Sequence, residues 1–292
     1  MPREQLDHEY ETLRSQHVDP VHPSPTPAQW QALADRYRGE LRRNDDVETR
    51  RGLARALWRQ SMALHVAGDP RRALEPGREA VAEFDAAFRK TLGWDADELS
   101  PTADAVLAEL LVAHCDLAEA AAAAGRSDEH LRQLEDARNA GHSITAGPRS
   151  SRALGTVHHN LSVAEFKRLL DDARRGRDGD VMAPVLSASR AFEIRQQALA
   201  PEDPLTMWEF TNTCIHYLRC LGLVGEMSRA VMVTELAAKW AELLPAGTGA
   251  DLRPQLTEAV RMLGMSYPAD ARALDRALKA GQPRRGLFRR GN

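Results

Sequence analysis

The sequence predicts an all-α protein, and its composition supports that class in three ways. The chain has 46 alanines and 35 leucines, so two strong helix formers occupy 81 of its 292 positions. Isoleucine, which strands favour, occurs only three times. Because 43% of the residues are hydrophobic and the net charge is only −3, disorder is also excluded. The same arithmetic excludes a β-sandwich, a β-barrel and an Ile/Val-rich parallel sheet.

Hydrophobic periodicity and helix breakers divide the chain into twelve helical segments. Residues 1–17 are predicted to form a short amphipathic helix on Leu6, Tyr10 and Leu13, followed by a proline-rich linker that ends at Pro27. Beyond the linker, glycine, proline and aspartate end one helix and begin the next. The further predicted helices are 28–43, 47–67, 70–91, 102–124, 127–140, 152–175, 180–199, 204–221, 227–244, 251–264 and 269–280.

The apolar stripes and the turns indicate how these helices pair. In the segment 70–91, Leu74, Val81 and Phe84 lie seven and three residues apart, which gives one apolar stripe on a helix. The turn 67–70 combines a glycine at a helix end, an aspartate cap and a proline at the first helical position. Short turns of this kind join antiparallel neighbours, so the segments are predicted to form helical hairpins.

A spacing of glycine, small residue and alanine recurs at the hairpin turns. Gly68, Ala73 and Ala80 show it clearly, and the same spacing begins again at Gly225. Small residues at these positions let two helix backbones pack closely beside the turn. Each hairpin then has an apolar face that only the next hairpin can cover, which predicts a stack of about five pairs.

These hairpins resemble the tetratricopeptide-repeat (TPR) family. Residues 53–84 look like one nearly complete repeat, and residues 159–164 are similar to the Asn-Leu-Gly stretch of the family's first helix. Residues 201–206, together with Asn212 and Tyr217, resemble the kinesin-light-chain-like subtype of bacterial regulators. The resemblance implies an α-α superhelix, a TPR-like solenoid of antiparallel hairpins.

The repeat is irregular, and it does not cover the whole chain. Its turn glycines are 57, 54 and 46 residues apart, against about 34 in a standard repeat, so we expect longer helices or enlarged loops at 93–101 and 141–151. We divide the chain into an N-terminal helix and linker at 1–27, a TPR-like domain at 28–280 and a basic tail at 281–292.

The resemblance also implies a concave groove, lined by the first helices of successive hairpins. The polar candidates on those helices are Arg55, Arg59, His65, Cys115, Asp116, Glu119, His159, Asn160, Asn212, His216 and Arg219. Asn160 and Asn212 match the family position that clamps a ligand backbone. Arginine and asparagine supply fixed donors that suit an extended peptide or a carboxylate. We therefore expect a non-enzymatic adaptor or regulator that binds a protein or peptide segment; the alternative is that each residue lies on a solvated face.

Two other functions stay open at this point. One is an enzyme of a biosynthetic pathway, with His158, His159 or His216 as acid or base in an enclosed pocket. The other is nucleic-acid binding through arginine, which makes up 35 of the 39 basic residues. The pI of about 6.4 makes nucleic acid an unfavoured partner. Neither metal-ligand spacing nor a phosphate loop is found, so no metal and no cofactor are predicted.

The ends of the chain and its cysteines bear on location and assembly. No apolar core of a signal peptide follows Met1, and the longest apolar run, residues 120–124, is far short of a membrane span. Three cysteines in an odd count indicate buried thiols in a reducing cytoplasm. Residues 284–290 form a basic patch that is either a frayed end or a contact surface. A homo-oligomer is possible, because the ends of a solenoid need caps.

Overall fold

The structure is a computed structural model that describes residues 2–18, 24–92, 99–142 and 147–280. This part of the chain contains twelve α-helices and no strand, which confirms the predicted class. The helices are α1 Arg3–Val18, α2 Pro27–Leu41, α3 Val47–Val66, α4 Pro70–Thr91, α5 Pro101–Ala123, α6 Ser127–His142, α7 Pro148–Arg174, α8 Met182–Gln197, α9 Pro204–Val224, α10 Met227–Leu243, α11 Arg253–Ser266 and α12 Ala271–Ala280. Their ends differ from the predicted ones by at most four residues.

Local capping explains where most of these helices begin and end. Thr26 and Gln29 form a capping box at the start of α2, with Pro27 at the first helical position. Asp46 accepts a hydrogen bond from the Thr49 backbone N–H at 2.8 Å and caps α3. At the end of α9, Gly225 has φ = +71°, a left-handed conformation that glycine adopts without strain.

The chain divides into two compact units, and unit 1 spans Met1–Val157. In unit 1, α1 packs on α2 and α3, and the side chains of its predicted apolar stripe, Leu6, Tyr10 and Leu13, are buried. Ala73 and Ala80 are fully buried where α4 crosses its neighbours. A Cβ atom at Gly77 would lie 2.9 Å from both Leu117 and Ser61, so α4 approaches α3 and α5 closely there.

Unit 2 spans His158–Asn292 and contains the larger, C-terminal part of α7 together with α8 to α12. Its core is built around Phe192, Phe210 and Tyr217, with side chains from α10 and α11 packed against them. Ala230 and Ala237 of the second clear repeat are fully buried. The glycine–small–alanine spacing therefore marks tight helix crossings in both units.

Several predicted features lie outside the described residues. These are Pro20 and Pro23 of the linker, residues 93–98 and 143–146 of the two loops, and the basic tail at 281–292. The division at residues 27 and 280 stays a prediction. No helix among the described residues is long and apolar enough to cross a membrane. All three cysteines are buried, and none forms a disulfide.

Candidate functional site

Arg55, the first predicted groove residue, is held by an ion pair between the first helices of two hairpins in unit 1. Its Nη2 atom lies 2.5 Å from Glu109 Oε1, and Arg51 Nε contacts the same carboxylate at 2.8 Å. Burial opposes ionisation of Glu109, but the two arginines outweigh it and hold the pKa of the carboxyl below its usual range. The Arg55 guanidinium therefore already has a carboxylate partner within the unit.

A second polar cluster on α3 and α5 surrounds Asp116. Trp58 Nε1 donates a hydrogen bond to Asp116 Oδ2 at 2.7 Å, and the Arg59 guanidinium lies over the Trp58 ring at 5.1 Å. Burial, and then repulsion from the exposed Glu119, raises the pKa of Asp116 to about 6. The hydrogen bond from Trp58, and after it the charges of Arg59 and His65, act in the opposite direction. Predicted groove residues from two helices therefore meet here.

Two nitrogen atoms of this cluster are buried without a hydrogen-bond partner among the described residues. They are Nε of Arg59 and Nδ1 of His65, in side chains that are only half-buried overall. Cys115, by contrast, is only 4% exposed and lies inside the helix packing. Of the unit 1 candidates, Arg59, His65, Asp116 and Glu119 thus share one polar surface.

In unit 2 the two candidate histidines lie inside the structure rather than on a groove surface. His159 is 9% exposed and His216 is 6% exposed, and their rings meet edge to face with centroids 5.6 Å apart. Burial, with smaller effects from Arg195 and His216, holds the pKa of His159 well below its usual value. Burial, and then the charge of Arg219, lowers the pKa of His216 to about 4. Both imidazoles are therefore neutral near pH 7.

The partner of His216 is the buried hydroxyl of Ser162. The Ser162 hydroxyl donates to the Pro184 carbonyl at 2.7 Å, and His216 Nε2 lies 2.8 Å from the same oxygen. Because a hydroxyl has one proton, and that proton is directed at Pro184, Nε2 must carry the hydrogen and donate it. His216 therefore cannot accept a proton from Ser162 in this arrangement. Ser162 is also completely buried, so the pair lies within the packing of the helices.

His159 orients Asn212 through a similar chain of contacts. Arg195, which is buried, donates to Thr213 Oγ1 at 2.5 Å, and His159 Nδ1 lies 3.3 Å from that hydroxyl oxygen. On its other side, His159 Nε2 lies 3.3 Å from Asn212 Nδ2. A neutral imidazole with hydrogen on Nδ1 accepts from the Asn212 amide at Nε2. The Asn212 amide is then oriented with its oxygen directed away from the histidine.

Three polar side chains remain available on the surface formed by α7 and α9. The Asn160 and Arg219 side chains form no hydrogen bond or ion pair with the described residues, and the Asn212 amide oxygen likewise has no donor there. Val163 lies on the same stretch of α7 and is 42% exposed. We call this surface the α7–α9 face and define it by Asn160, Val163, Asn212 and Arg219.

Sequence reasoning missed the polar network beneath this face. Ser162, Arg195, Thr213 and Cys220 connect the two histidines to α8 and α9, with Cys220 Sγ 3.5 Å from His216 Nε2. The signal available in the sequence was a serine directly after Leu161, on the apolar side of α7. Within the described residues, no group of three or more His, Cys, Asp or Glu side chains is arranged to hold a metal ion.

The antiparallel helical hairpins have the α-α superhelix fold of helical-repeat proteins. The crystal structure of BtubC (BKLC) from P. vanneervenii is similar, with a TM-score of 0.57 and 15% sequence identity over 91% of this chain and 97% of that one. No protein-family model matches the chain, and no curated protein matches it. The similarity to BtubC confirms the predicted fold class and the TPR-like resemblance at the level of the fold.

Proposed function

We propose that the protein is a non-enzymatic interaction module that binds an extended protein or peptide segment on the α7–α9 face. One observation carries the proposal: Asn212 is fixed by His159 while its amide oxygen has no donor among the described residues. An extended peptide alternates backbone N–H and C=O groups, and a fixed amide can satisfy one of each. The predicted role of Asn160 and Asn212 as backbone clamps is thus compatible with where they lie.

The surroundings of the two asparagines support the same ligand. Arg219 is exposed and without a carboxylate partner among the described residues, so it can pair with a terminal or side-chain carboxylate. Val163 adds apolar contact next to Asn160. The buried network beneath these residues holds them in position, which reduces the entropy lost on binding.

The enzyme alternative gains no support from the contacts of the histidines. Ser162 and Cys220, which lie within hydrogen-bond reach of His216, are buried. The serine proton is directed at a backbone carbonyl, and burial raises the pKa of the Cys220 thiol to about 11. We place the module in the cytoplasm, because its three cysteines are buried thiols.

The proposal is tested by selecting peptides from a displayed random library with the purified protein. The affinity of a selected peptide is then measured by fluorescence anisotropy for the wild type and for the double variant N160A/N212A. Loss of two amide contacts is expected to weaken binding at least about tenfold. The matched control is Q196A/Q197A, which removes two exposed amides from α8. Equal affinities of the wild type and N160A/N212A, or the same loss in the control, would contradict the proposal.

A further inference from the structure

A polar cavity lies in unit 1, between α2 and α4, and it uses none of the residues of the α7–α9 face. It has a volume of about 480 Å³, within the range of small-ligand sites, and α3 contributes Leu57, Gln60 and Leu64 to its lining. We call it the α2–α4 cleft. Its other lining residues come from α2 and from the first half of α4.

A hydrogen-bond chain sets the orientation of Gln60 in this cleft. The Asp35 carboxylate can only accept, so Gln31 presents its Nε2 to it at 2.9 Å. Gln31 Oε1 is then the acceptor for Gln60 Nε2 at 2.6 Å. The Gln60 Oε1 atom takes no part in this chain of hydrogen bonds, and it is buried without a donor among the described residues. A buried carbonyl oxygen without a donor is costly, and a ligand N–H group would satisfy it.

Pro76 adds a second feature that favours a donor group in the cleft. Proline has no N–H, so it donates nothing to the carbonyl of Arg72, which lies four residues earlier on the same face of α4. Both Pro76 and Arg72 line the cavity. The Arg72 carbonyl therefore lacks its usual helical donor in the part of α4 that lines the cleft.

The charges of the cleft are only partly matched within the protein. Arg38 forms an ion pair with Glu79, and a further one with Asp35. Arg71 and Glu75 are both exposed, and no ion pair joins either of them to another described residue. One positive and one negative side chain therefore line the same cavity and remain available to a ligand.

We propose that the α2–α4 cleft binds a zwitterionic amino-acid or peptide group. Arg71 pairs with the ligand carboxylate, Glu75 pairs with its ammonium group, and the Gln60 oxygen accepts one of its N–H hydrogens. Each of these contacts joins groups of opposite charge or a donor with an acceptor. The site shares no residue with the α7–α9 face, so a negative result for one proposal leaves the other unaffected.

Isothermal titration calorimetry of the full chain with triglycine tests the proposal. N-acetyl-triglycine lacks the ammonium group and triglycinamide lacks the carboxylate, so each is expected to bind at least about tenfold more weakly than triglycine. R71A is expected to weaken triglycine at least about tenfold and to leave triglycinamide unchanged. The exposed Arg132 on α6 supplies the matched control, and R132A is expected to bind triglycine as the wild type does.

Two further measurements test the Gln60 contact and distinguish a site for an amino acid from a site for a peptide. Q60L is expected to weaken triglycine by about tenfold, and its circular dichroism spectrum shows whether it folds. Free glycine distinguishes a site for an amino acid from a site for a peptide, because a peptide site binds triglycine more tightly. Absence of saturable binding of both triglycine and glycine up to about 10 mM, a range in which even weak ligands give measurable heat, would overturn the proposal. Equal affinities of triglycine and its two capped forms, or wild-type affinity in R71A, would also overturn it.

Discussion

Replacing Ser162 with alanine tests whether the buried network holds unit 2 together. The Ser162 hydroxyl donates to the Pro184 carbonyl at 2.7 Å and accepts from His216 Nε2 at 2.8 Å. The Pro184 carbonyl lies inside α8 and keeps its backbone donor, so alanine leaves mainly the His216 Nε2–H group buried and unsatisfied, which costs about 1–3 kcal/mol. Since the cavity left by one oxygen is small, we expect S162A to lower the free energy of unfolding of unit 2 by about 1–3 kcal/mol.

Hydrogen exchange measured by mass spectrometry is the suitable assay, because it reports the opening of α9 without assuming two-state unfolding of the whole chain. S228A is the matched control, since Ser228 is exposed on α10, and it is expected to change stability by less than about 0.5 kcal/mol. The double variant S162A/H216L is expected to be less destabilised than the two single losses together, because one unsatisfied partner is gone. Protection of α9 in S162A within about 0.5 kcal/mol of the wild type would show that the Ser162 hydroxyl does not stabilise unit 2.

Three further predictions concern titration and capping. Burial lowers the pKa of His216 to about 4, so the unfolded state takes up the proton first as the pH falls. Unit 2 is therefore expected to lose about 2–3 kcal/mol of stability between about pH 6.5 and about pH 4. Urea unfolding of the wild type and H216L across this range checks it, and equal losses in both would contradict it. Burial raises the pKa of Asp116 from 3.8 to about 6, so ionisation of this carboxyl lowers stability as the pH rises between these two values, and the loss is complete above about pH 6. D116N keeps an acceptor for Trp58 and is expected to stabilise unit 1 by about 1 kcal/mol near pH 8, with a smaller gain in stability below pH 6. Thermal unfolding at both pH values measures this difference. A gain in stability that does not depend on pH would contradict the prediction. The Asp104 carboxylate accepts three hydrogen bonds from the start of α7, so D104A is expected to lower the free energy of unfolding by about 2–3 kcal/mol. The control D128A, at an exposed site of α6, is expected to lower it little. Similar urea midpoints for the two variants would show that this cap contributes nothing.

The helices were predictable because their signals are local. Thr26 before Pro27, and Asp69 before Pro70, mark helix starts within four residues of sequence. The largest error falls at the start of α7, which begins four residues before its predicted start. There the capping carboxylate comes from Asp104 on α5, 46 residues away from Ser150. A cap supplied from another helix leaves no pattern beside the helix that it caps.

The positions of the candidate site residues were only partly predictable. Helical spacing places His216 and Arg219 on the same side of α9, yet one is buried and the other exposed. The difference depends on α7, whose Ser162 offers His216 a partner inside the packing. The α2–α4 cleft could not be predicted, because its hydrogen-bond chain joins Gln31 and Gln60 from two different helices.

The central claim is that a peptide segment binds on the α7–α9 face. The most direct measurement is photo-crosslinking of a selected peptide that carries a benzophenone group, with the modified residues mapped by mass spectrometry. Crosslinks are expected within α7 and α9 close to Asn160 and Asn212, and N160A/N212A is expected to lose them. Crosslinks confined to α8 or α10, or an unchanged pattern in the double variant, would contradict it.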